Sequence, residues 1–332
     1  MKVLITGGAG YIGSHAVREF ADAGHQVVVL DDLSRGHRAA VPPNVPFVEG
    51  DLGDAVVLRK ALAGVHAVVH FAGVLSVAES VADPAPYYRI NVAKGLELLA
   101  AMRAAGVERI IFSSTCATYG LPVRLPMDET HPQDPINPYG ATKRAFERAL
   151  IDHAQAGGLR AVALRYFNAA GCHPDGSLGE DHRPEEHVIP LAIDAALGRG
   201  PALTIYGDDY DTPDGTCIRD YVHVQDLARA HVLALDWLSA PPRSVPAFQP
   251  FNLGTETGHS VRSVVDTVGR VTGRPVPSRV GGRRAGDPPR LVASARLARE
   301  RLGWKPALTE LGEIVETALR WRLPHPEGYA PR

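Results

Sequence analysis

The sequence predicts an α/β fold, a doubly wound parallel sheet covered by helices on both faces and followed by a smaller α+β domain. Three observations carry this. Short apolar runs alternate with stretches of helical period through the first half of the chain. A glycine-rich turn joins the first of these runs to the first helical stretch. After about Asn168 the texture changes to shorter elements separated by loops rich in Gly, Pro and Asp. The boundary is placed between residues 167 and 168, and parts near 220–255 are expected to pack back on the first domain.

Taken in order, residues 3–6 are the first strand, and an apolar period of helical spacing runs over 12–23 until Gly24 stops it. Strands follow at 27–30 and 45–48, a helix at 55–62, and a strand at 67–71. One long helix is expected from about 86 to 105, closed by Gly106, then a strand over 109–113. Another helix starts near Pro138, and the strand 161–166 follows it. Strands separated by helices on short links pair in parallel, because the chain must cross a face of the sheet to return. Beyond 168, helices are expected at 188–197, 224–238, 261–271 and 309–322. Between them lie loops at 171–179, 206–215, 241–250 and 281–289, with 241–250 read as a surface loop.

Composition bounds the function classes. Apolar residues make up 45% and charged residues 22% of the 332, which supports a packed core and argues against disorder. A net charge of -2 with no long basic run gives no footing for nucleic acid or an anionic membrane. Cys116, Cys172 and Cys217 are too few and too scattered for a disulfide framework or a zinc site, and the fourteen histidines suggest no metal-ligand spacing. No window is apolar enough to span a membrane, and nothing reads as a signal peptide. A cytoplasmic protein is the expectation.

Gly7-Gly8-Ala9-Gly10-Tyr11-Ile12-Gly13 puts glycines at 7, 10 and 13 after a strand and at the opening of a helix. A backbone without Cβ lets a pyrophosphate approach, and the free N–H groups of the helix start then face it. The bland alternative, an ordinary tight turn, does not account for strand, spacing and helix together. Asp31 ends the second strand, where a carboxylate accepts bonds from ribose hydroxyls and repels a 2′-phosphate. NAD is therefore expected rather than NADP. Arg35 and Arg38 just downstream argue the other way, and are read as solvated loop charges. Asp51, Leu52, Phe71, Ala72 and Gly73 fall at carboxyl ends of strands, where such folds bind ligands; each by itself is equally a plain strand terminus.

In Asn137-Pro138-Tyr139-Gly140-Ala141-Thr142-Lys143, Asn137 caps a helix and Pro138 takes its first turn. Tyr139 and Lys143 then share one face, a turn apart. An ammonium there, with a positive nicotinamide ring, would draw the phenol from its usual pKa near 10 toward working pH. Such a phenolate takes the proton of an alcohol while a hydride leaves the same carbon. By itself a Tyr-x-x-x-Lys pair is more often a solvated helix face; the glycine motif changes that balance. Thr115, after Ser113 and Ser114 at the end of a strand, is placed to bond the reacting oxygen, whereas Ser113 and Thr118 read as hydroxyls that tie down a turn. His187 and His223 could touch substrate, although a lone histidine more often serves core or surface.

The Thr-Gly-Gly-Ala-Gly-Tyr-Ile-Gly-Ser-His opening, the Ser-Ser-Thr strand end and the Tyr-Gly-Ala-Thr-Lys helix resemble the extended short-chain dehydrogenase/reductase family, which implies a Rossmann-type first domain with bound NAD. Residues 164–171, 179–182, 205–210 and 214–224 resemble its UDP-glucose (UDP-galactose) 4-epimerase branch, and the likeness runs to about 322. It implies that Tyr139 is the base, that Lys143 orients the nicotinamide ribose, and that Thr115 binds the reacting sugar oxygen. It adds Asn91, Ser113 and Tyr166 to the cofactor contacts. Asn168, His187, Val188, Tyr206, Arg219, Arg284 and Asp287 take positions that hold a UDP-sugar in a substrate-binding domain. Two guanidiniums suit a diphosphate on their own chemistry, although Arg219 could instead be a buried partner of Asp220 or Asp226. Galactose metabolism is implied, as is a homodimer through helices near 86–105 and 138–156.

Two positions depart from the family. Alignment on Gly286-Asp287-Pro288-Pro289 places Leu291 where a bulky Tyr often limits the pocket, which opens the way to an N-acetyl sugar. Leu75 and Ser76 stand where some members carry Lys. Dehydratases and decarboxylases of the family need carboxylates just after Thr115, and the chain has Cys116 and Ala117. Epimerases of UDP-glucuronate, UDP-N-acetylhexosamines or UDP-pentoses survive that test. A non-catalytic NAD-binding sensor would be expected to have lost Tyr139 or Lys143, and both are present.

Overall fold

The computed structural model describes residues 1–239, 246–284 and 287–329. Its elements, in chain order, begin with β1 (Lys2–Thr6), α1 (Tyr11–Asp22), β2 (Gln26–Asp31), β3 (Phe47–Glu49), α2 (Ala55–Ala61) and β4 (Ala67–His70). Next come α3 (Val77–Ala82), α4 (Pro84–Tyr88), α5 (Lys94–Ala104), β5 (Arg109–Ser113), α6 (Pro138–Gln155) and β6 (Arg160–Arg165). The later part holds β7 (Asn168–Ala170), α7 (Val188–Ala196), β8 (Leu203–Tyr206), β9 (Ile218–Arg219) and β10 (Tyr221–His223). After these run α8 (Val224–Ser239), β11 (Phe248–Asn252), β12 (His259–Ser260) and α9 (Val261–Thr272). The chain closes with β13 (Ser278–Gly281), β14 (Arg290–Leu291), α10 (Arg296–Leu302) and α11 (Leu311–Arg322).

Seven strands form one parallel sheet in the order β11-β6-β5-β4-β1-β2-β3, so the strand order reverses between β4 and β1. Side chains alternate across it. Val3, Ile5, Val29, Val69 and Ile111 pack on the face covered by α1, α8 and α10, while Leu4, Val28, Val68, Ile110 and Phe112 pack on the face covered by α2, α5 and α6. Both faces are dry, which is why the strands read as unbroken apolar runs rather than alternating ones. A third core, around Ile193, Val264, Ile314 and Trp321, joins α7, α9 and α11.

Two expectations are corrected. The single helix expected over 86–105 is α4, a π-helical turn Arg89–Ala93 and α5, and α3 precedes them. Asp83, which caps Ala85 N at 3.3 Å with Pro84 in the first turn, parts α4 from α3, and the widened turn that follows α4 is where Asn91 points inward to Val74. The loop read over 241–250 ends in the edge strand of the main sheet, with Pro250 opposite Ala163. An edge tolerates a proline, since only one side of the strand is paired; residues 240–245 of that loop lie outside the described residues. α10 and the short strands β7 to β10 and β12 to β14 were not legible.

Four histidines are buried as neutral rings. Burial pushes His15 and His231 down to about 4, and His70 and His223 to about 3. The sign follows directly. Between those values and 6.5 the unfolded chain binds more protons, so the stability is complete above pH 6.5 and drains away as pH falls toward 3. Each ring costs about 1.4 kcal/mol per pH unit within that window. We expect the melting temperature to fall steeply from pH 7 to pH 5, and a flat profile in thermal scans would contradict this burial.

Candidate active site

Where the strand order reverses, the carboxyl ends of β1 and β4 diverge and leave a cavity of about 610 Å³. The glycine turn is one wall, with Gly7, Gly10, Tyr11, Ile12 and Gly13 facing inward. Gly7 has φ +71°, and a Cβ there would meet Ala72 N at 2.5 Å. A Cβ on Gly13 would lie 2.1 Å from Gly7 O. Gly10 caps α1 without any side-chain bond, so the N–H groups of the first turn meet no capping side chain. Asp31 is buried on the second wall, where its Oδ2 accepts Ala9 N and its Oδ1 accepts Leu33 N, each at 2.9 Å. Leu52 adjoins it, and Phe71, Ala72 and Gly73 form the floor. A cradle that any side chain would fill, a bare helix start and an acid at the next strand end together fit NAD. Gly13→Ala is accordingly expected to abolish cofactor retention, because the clash is with backbone. Protein-bound dinucleotide in the purified variant is the measurement, and full retention would overturn this geometry.

The opposite wall holds Ser113, Tyr139, Lys143 and Tyr166. Asn137 caps α6 by accepting Gly140 N at 2.8 Å, which aims Tyr139 and Lys143 from the first turns. Lys143 is buried, and its Nζ donates to Ser113 O at 3.0 Å. Ser113 Oγ meets Tyr166 OH at 2.5 Å, so this hydroxyl ties the ends of β5 and β6 together. Thr115 lies beside the phenol and draws its pKa down, while its Oγ1 accepts Ala117 N at 3.1 Å.

The chain's own side chains supply only part of the electrostatics that the sequence expectation invoked. Burial pushes the Tyr139 phenol up to about 12, and Thr115 only partly offsets this. Lys143 does not reverse the shift, because its Nζ stands 5.9 Å from the centre of the Tyr139 ring and is spent on Ser113 O. Burial also brings the Lys143 ammonium down to about 8, with Glu147 pulling it back up. The chain's own residues thus leave the phenol protonated at neutral pH. Glu147 was missed in the sequence, although its spacing four residues after Lys143 was a readable signal. It accepts from Ser114 Oγ and both forks of Arg165, all buried.

Other candidates sit elsewhere. Asp51 stands outside the cavity wall and pairs with Lys94; burial raises its pKa, but the bonds from Lys94 and Gly53 N outweigh this and leave it below the usual range. Asn91 is buried behind the wall, where it binds Val74 N and O and Thr142 Oγ1, bracing the Gly73–Val74 turn. Of the two arginines read as solvated, Arg35 lines the cavity with its charge met by Glu79 at 2.9 Å, and Arg38 stacks on Phe47 at 4.7 Å. Leu75 and Ser76 line the cavity as well.

The substrate candidates gather around β9 and β14. Arg219 pairs with Asp287, not with Asp220 or Asp226, and donates to Pro288 O at 3.0 Å. Pairing of β13 with β8 sets Gly281 opposite Tyr206 and brings Arg284 over that ring at 4.0 Å. Asn168 Nδ2 donates to Asp220 O at 3.2 Å. This group meets the cavity near Phe167, which lines it and, like Leu291, packs on the cluster around Cys116. Gly286, on which the alignment of Leu291 was based, lies outside the described residues. His187 lines the cavity at the start of α7, with Val188 next to it. His223 does not: it is buried against Thr317 Oγ1 at 3.0 Å.

The profile of the NAD dependent epimerase/dehydratase family matches residues 3–254. The chain belongs to this family. It is 48% identical over 334 residues to the UDP-glucose 4-epimerase of Lacticaseibacillus casei, covering 100% of both chains. Among solved structures it resembles the UDP-glucose 4-epimerase of Brucella ovis in complex with NAD, with a TM-score of 0.92 and 52% identity over 98% of each chain. It also resembles that of Bifidobacterium longum in complex with NAD+ and UDP, with a TM-score of 0.92 and 36% identity over 99% of this chain and 100% of that one. Among the described residues no helix is long and apolar enough to cross a membrane.

Proposed function

We infer that the chain is an NAD-dependent UDP-sugar 4-epimerase that inverts C4 of UDP-glucose and UDP-galactose. One observation carries this reading: Tyr139 and Lys143 face the glycine cradle across one cavity in a chain that shares its whole length with proteins named for that activity. The glycine cradle of Gly7, Gly10 and Gly13 with Asp31 would hold NAD, which would supply the hydride acceptor and donor for inversion at C4 through a 4-keto sugar. Tyr139 removes the 4-hydroxyl proton and later restores it, and Thr115 holds the same oxygen. Lys143 holds the nicotinamide ribose, its ammonium kept charged by Glu147. Arg219 and Arg284, with Asn168 and Tyr206, grip the UDP, so the hexose is free to turn over between the two hydride transfers. Residues 1–167 hold the cofactor and 168–332 hold the substrate. Carboxylates are lacking at Cys116 and Ala117, which favours epimerisation over dehydration or decarboxylation.

Leu291, partly buried against the cluster around Cys116 and Tyr119, supports acceptance of UDP-N-acetylhexosamines as well. Assay of the purified protein on UDP-galactose, UDP-N-acetylgalactosamine and UDP-glucuronate tests both statements. Turnover of the first is expected, together with measurable turnover of the second; no turnover of any removes the epimerase reading. Tyr88 and Leu96 are exposed on α4 and α5, which supports a homodimer through these helices and α6. Light scattering checks it. A cytoplasmic role in galactose metabolism belongs to the same reading.

A further inference from the structure

The loop that carries the chain into α7 brings Glu180, His182, Glu185 and His187 together, one ligand atom from each lying within 4.8 Å of all the others. The sequence reading had expected no metal ligands among the histidines. His187 Nδ1 lies 2.7 Å from Glu180 Oε1 and 3.1 Å from Glu185 Oε1. His182 Nδ1 lies 3.2 Å from Glu180 Oε1 and 3.7 Å from Glu185 Oε2. Metal bonds of about 2.0–2.1 Å in a tetrahedral shell require ligand-to-ligand edges of roughly 3.3 Å; the four carboxylate–imidazole separations, which involve both oxygens of Glu185, run from 2.7 to 3.7 Å.

A second observation points the same way. Glu180 is 5% exposed, yet its Oε1 takes part in no hydrogen bond among the described residues, and the same holds for the buried His182 Nδ1 and Glu185 Oε2. These three atoms have only the ion-pair contacts given above and no aligned hydrogen bond, which is costly for buried polar atoms. A cation at their centre satisfies all of them.

We propose that Glu180, His182, Glu185 and His187 form a binding site for one divalent transition-metal ion, zinc by preference, in the wall of the substrate cavity. Two imidazoles and two carboxylates are a borderline donor set that suits zinc, and four protein ligands close the shell as in a structural site. Two glutamates also neutralise the ion. The role follows from position. Asp181, His182, Arg183 and His187 line the cavity, so an ion tying this loop to the start of α7 fixes that wall. Tyr11 of the glycine turn meets His182 edge to face at 5.9 Å, which connects the site to the cofactor side. The competing state is a metal-free double ion pair. In it burial opposes the charge on His182, while Glu180 and Glu185 outweigh it and hold the ring at about 9.

Zinc alone is the probe. The whole protein, treated with chelator and titrated with Zn2+ against a competing chromophoric chelator that excludes weak surface histidines, is expected to bind one ion per chain. Its melting temperature should rise on loading, and Co2+ in place of Zn2+ should give the intense visible absorption of a tetrahedral centre. The His182→Asn/Glu185→Gln variant should lose affinity on the order of 100-fold or more, since removing even outer-shell partners costs 10–100-fold. Retained dinucleotide in that variant verifies its fold. A wild-type chain that takes up no ion in competition, or a folded variant that binds as tightly as wild type, overturns the proposal. None of these readouts uses a sugar nucleotide, so the result stands apart from the epimerase assignment.

Discussion

Tyr139→Phe is expected to lower the rate of epimerisation by roughly two to four orders of magnitude while bound NAD and the melting temperature stay close to wild type. The substitution removes one oxygen. The ring keeps its place at the start of α6, so little stability is lost. What disappears is the group that takes the 4-hydroxyl proton. The pH profile carries the same information. A phenol held near 12 by burial is protonated at neutral pH, so wild-type kcat/KM should rise with pH as the base form fills. The positive ring of oxidised NAD should bring the phenol's pKa lower in the holoenzyme than in the cofactor-free chain. Full activity in the Phe variant would remove the assigned base.

Glu147→Ala is the second large effect, and it falls on stability. Glu147 and Arg165 are 1% and 3% exposed, and the carboxylate receives both forks of the guanidinium together with Ser114 Oγ. Its removal leaves a buried positive charge with only Tyr119 OH, at 2.9 Å, among its side-chain partners. Breaking one side of such a pair costs about 3–5 kcal/mol. Chemical denaturation should report that loss, and a change under 1 kcal/mol would mean the pair is hydrated. Glu147→Gln keeps most of the shape and removes the charge. Without Glu147 the Lys143 ammonium, already down to about 8, titrates at lower pH. The activity limb that depends on charged Lys143 should move to lower pH in the Gln variant, a shift that damaged packing would not produce.

Both predictions rest on a helix whose chemistry reads at two levels. Asn137, Pro138, Tyr139 and Lys143 are local: a cap, a first-turn proline and a one-turn spacing all lie within seven residues, so the sequence displays them. The glycine turn is equally local, because strand, glycines, helix and Asp31 obey spacing rules that hold without knowledge of the rest of the chain. The β–α alternation of residues 1–166 was legible for the same reason. Parallel strands buried on both faces leave apolar runs that need no partner to be recognised.

The charge state of Tyr139 was not legible. Spacing places an ammonium one turn away, but whether that ammonium faces the phenol or the Ser113 carbonyl depends on how β5 packs under α6. That Asn91 turns inward was not legible, because the π-helical turn that directs it answers to Val74 and Thr142, distant in the chain. The edge strand β11 was hidden because five residues containing a proline carry no periodic signal, and only pairing with β6 makes them a strand. The pairing of Arg219 with Asp287, and the meeting of two histidines with two glutamates ahead of α7, are contacts that side chains make after the backbone is in place. Sequence alone therefore determined the fold class, the cofactor turn and the shared helix face of Tyr139 and Lys143, because these are written in short-range periodicity and steric need. Only the tertiary structure decided protonation, orientation and partner choice, because burial and through-space distance belong to the packed molecule and not to any stretch of chain.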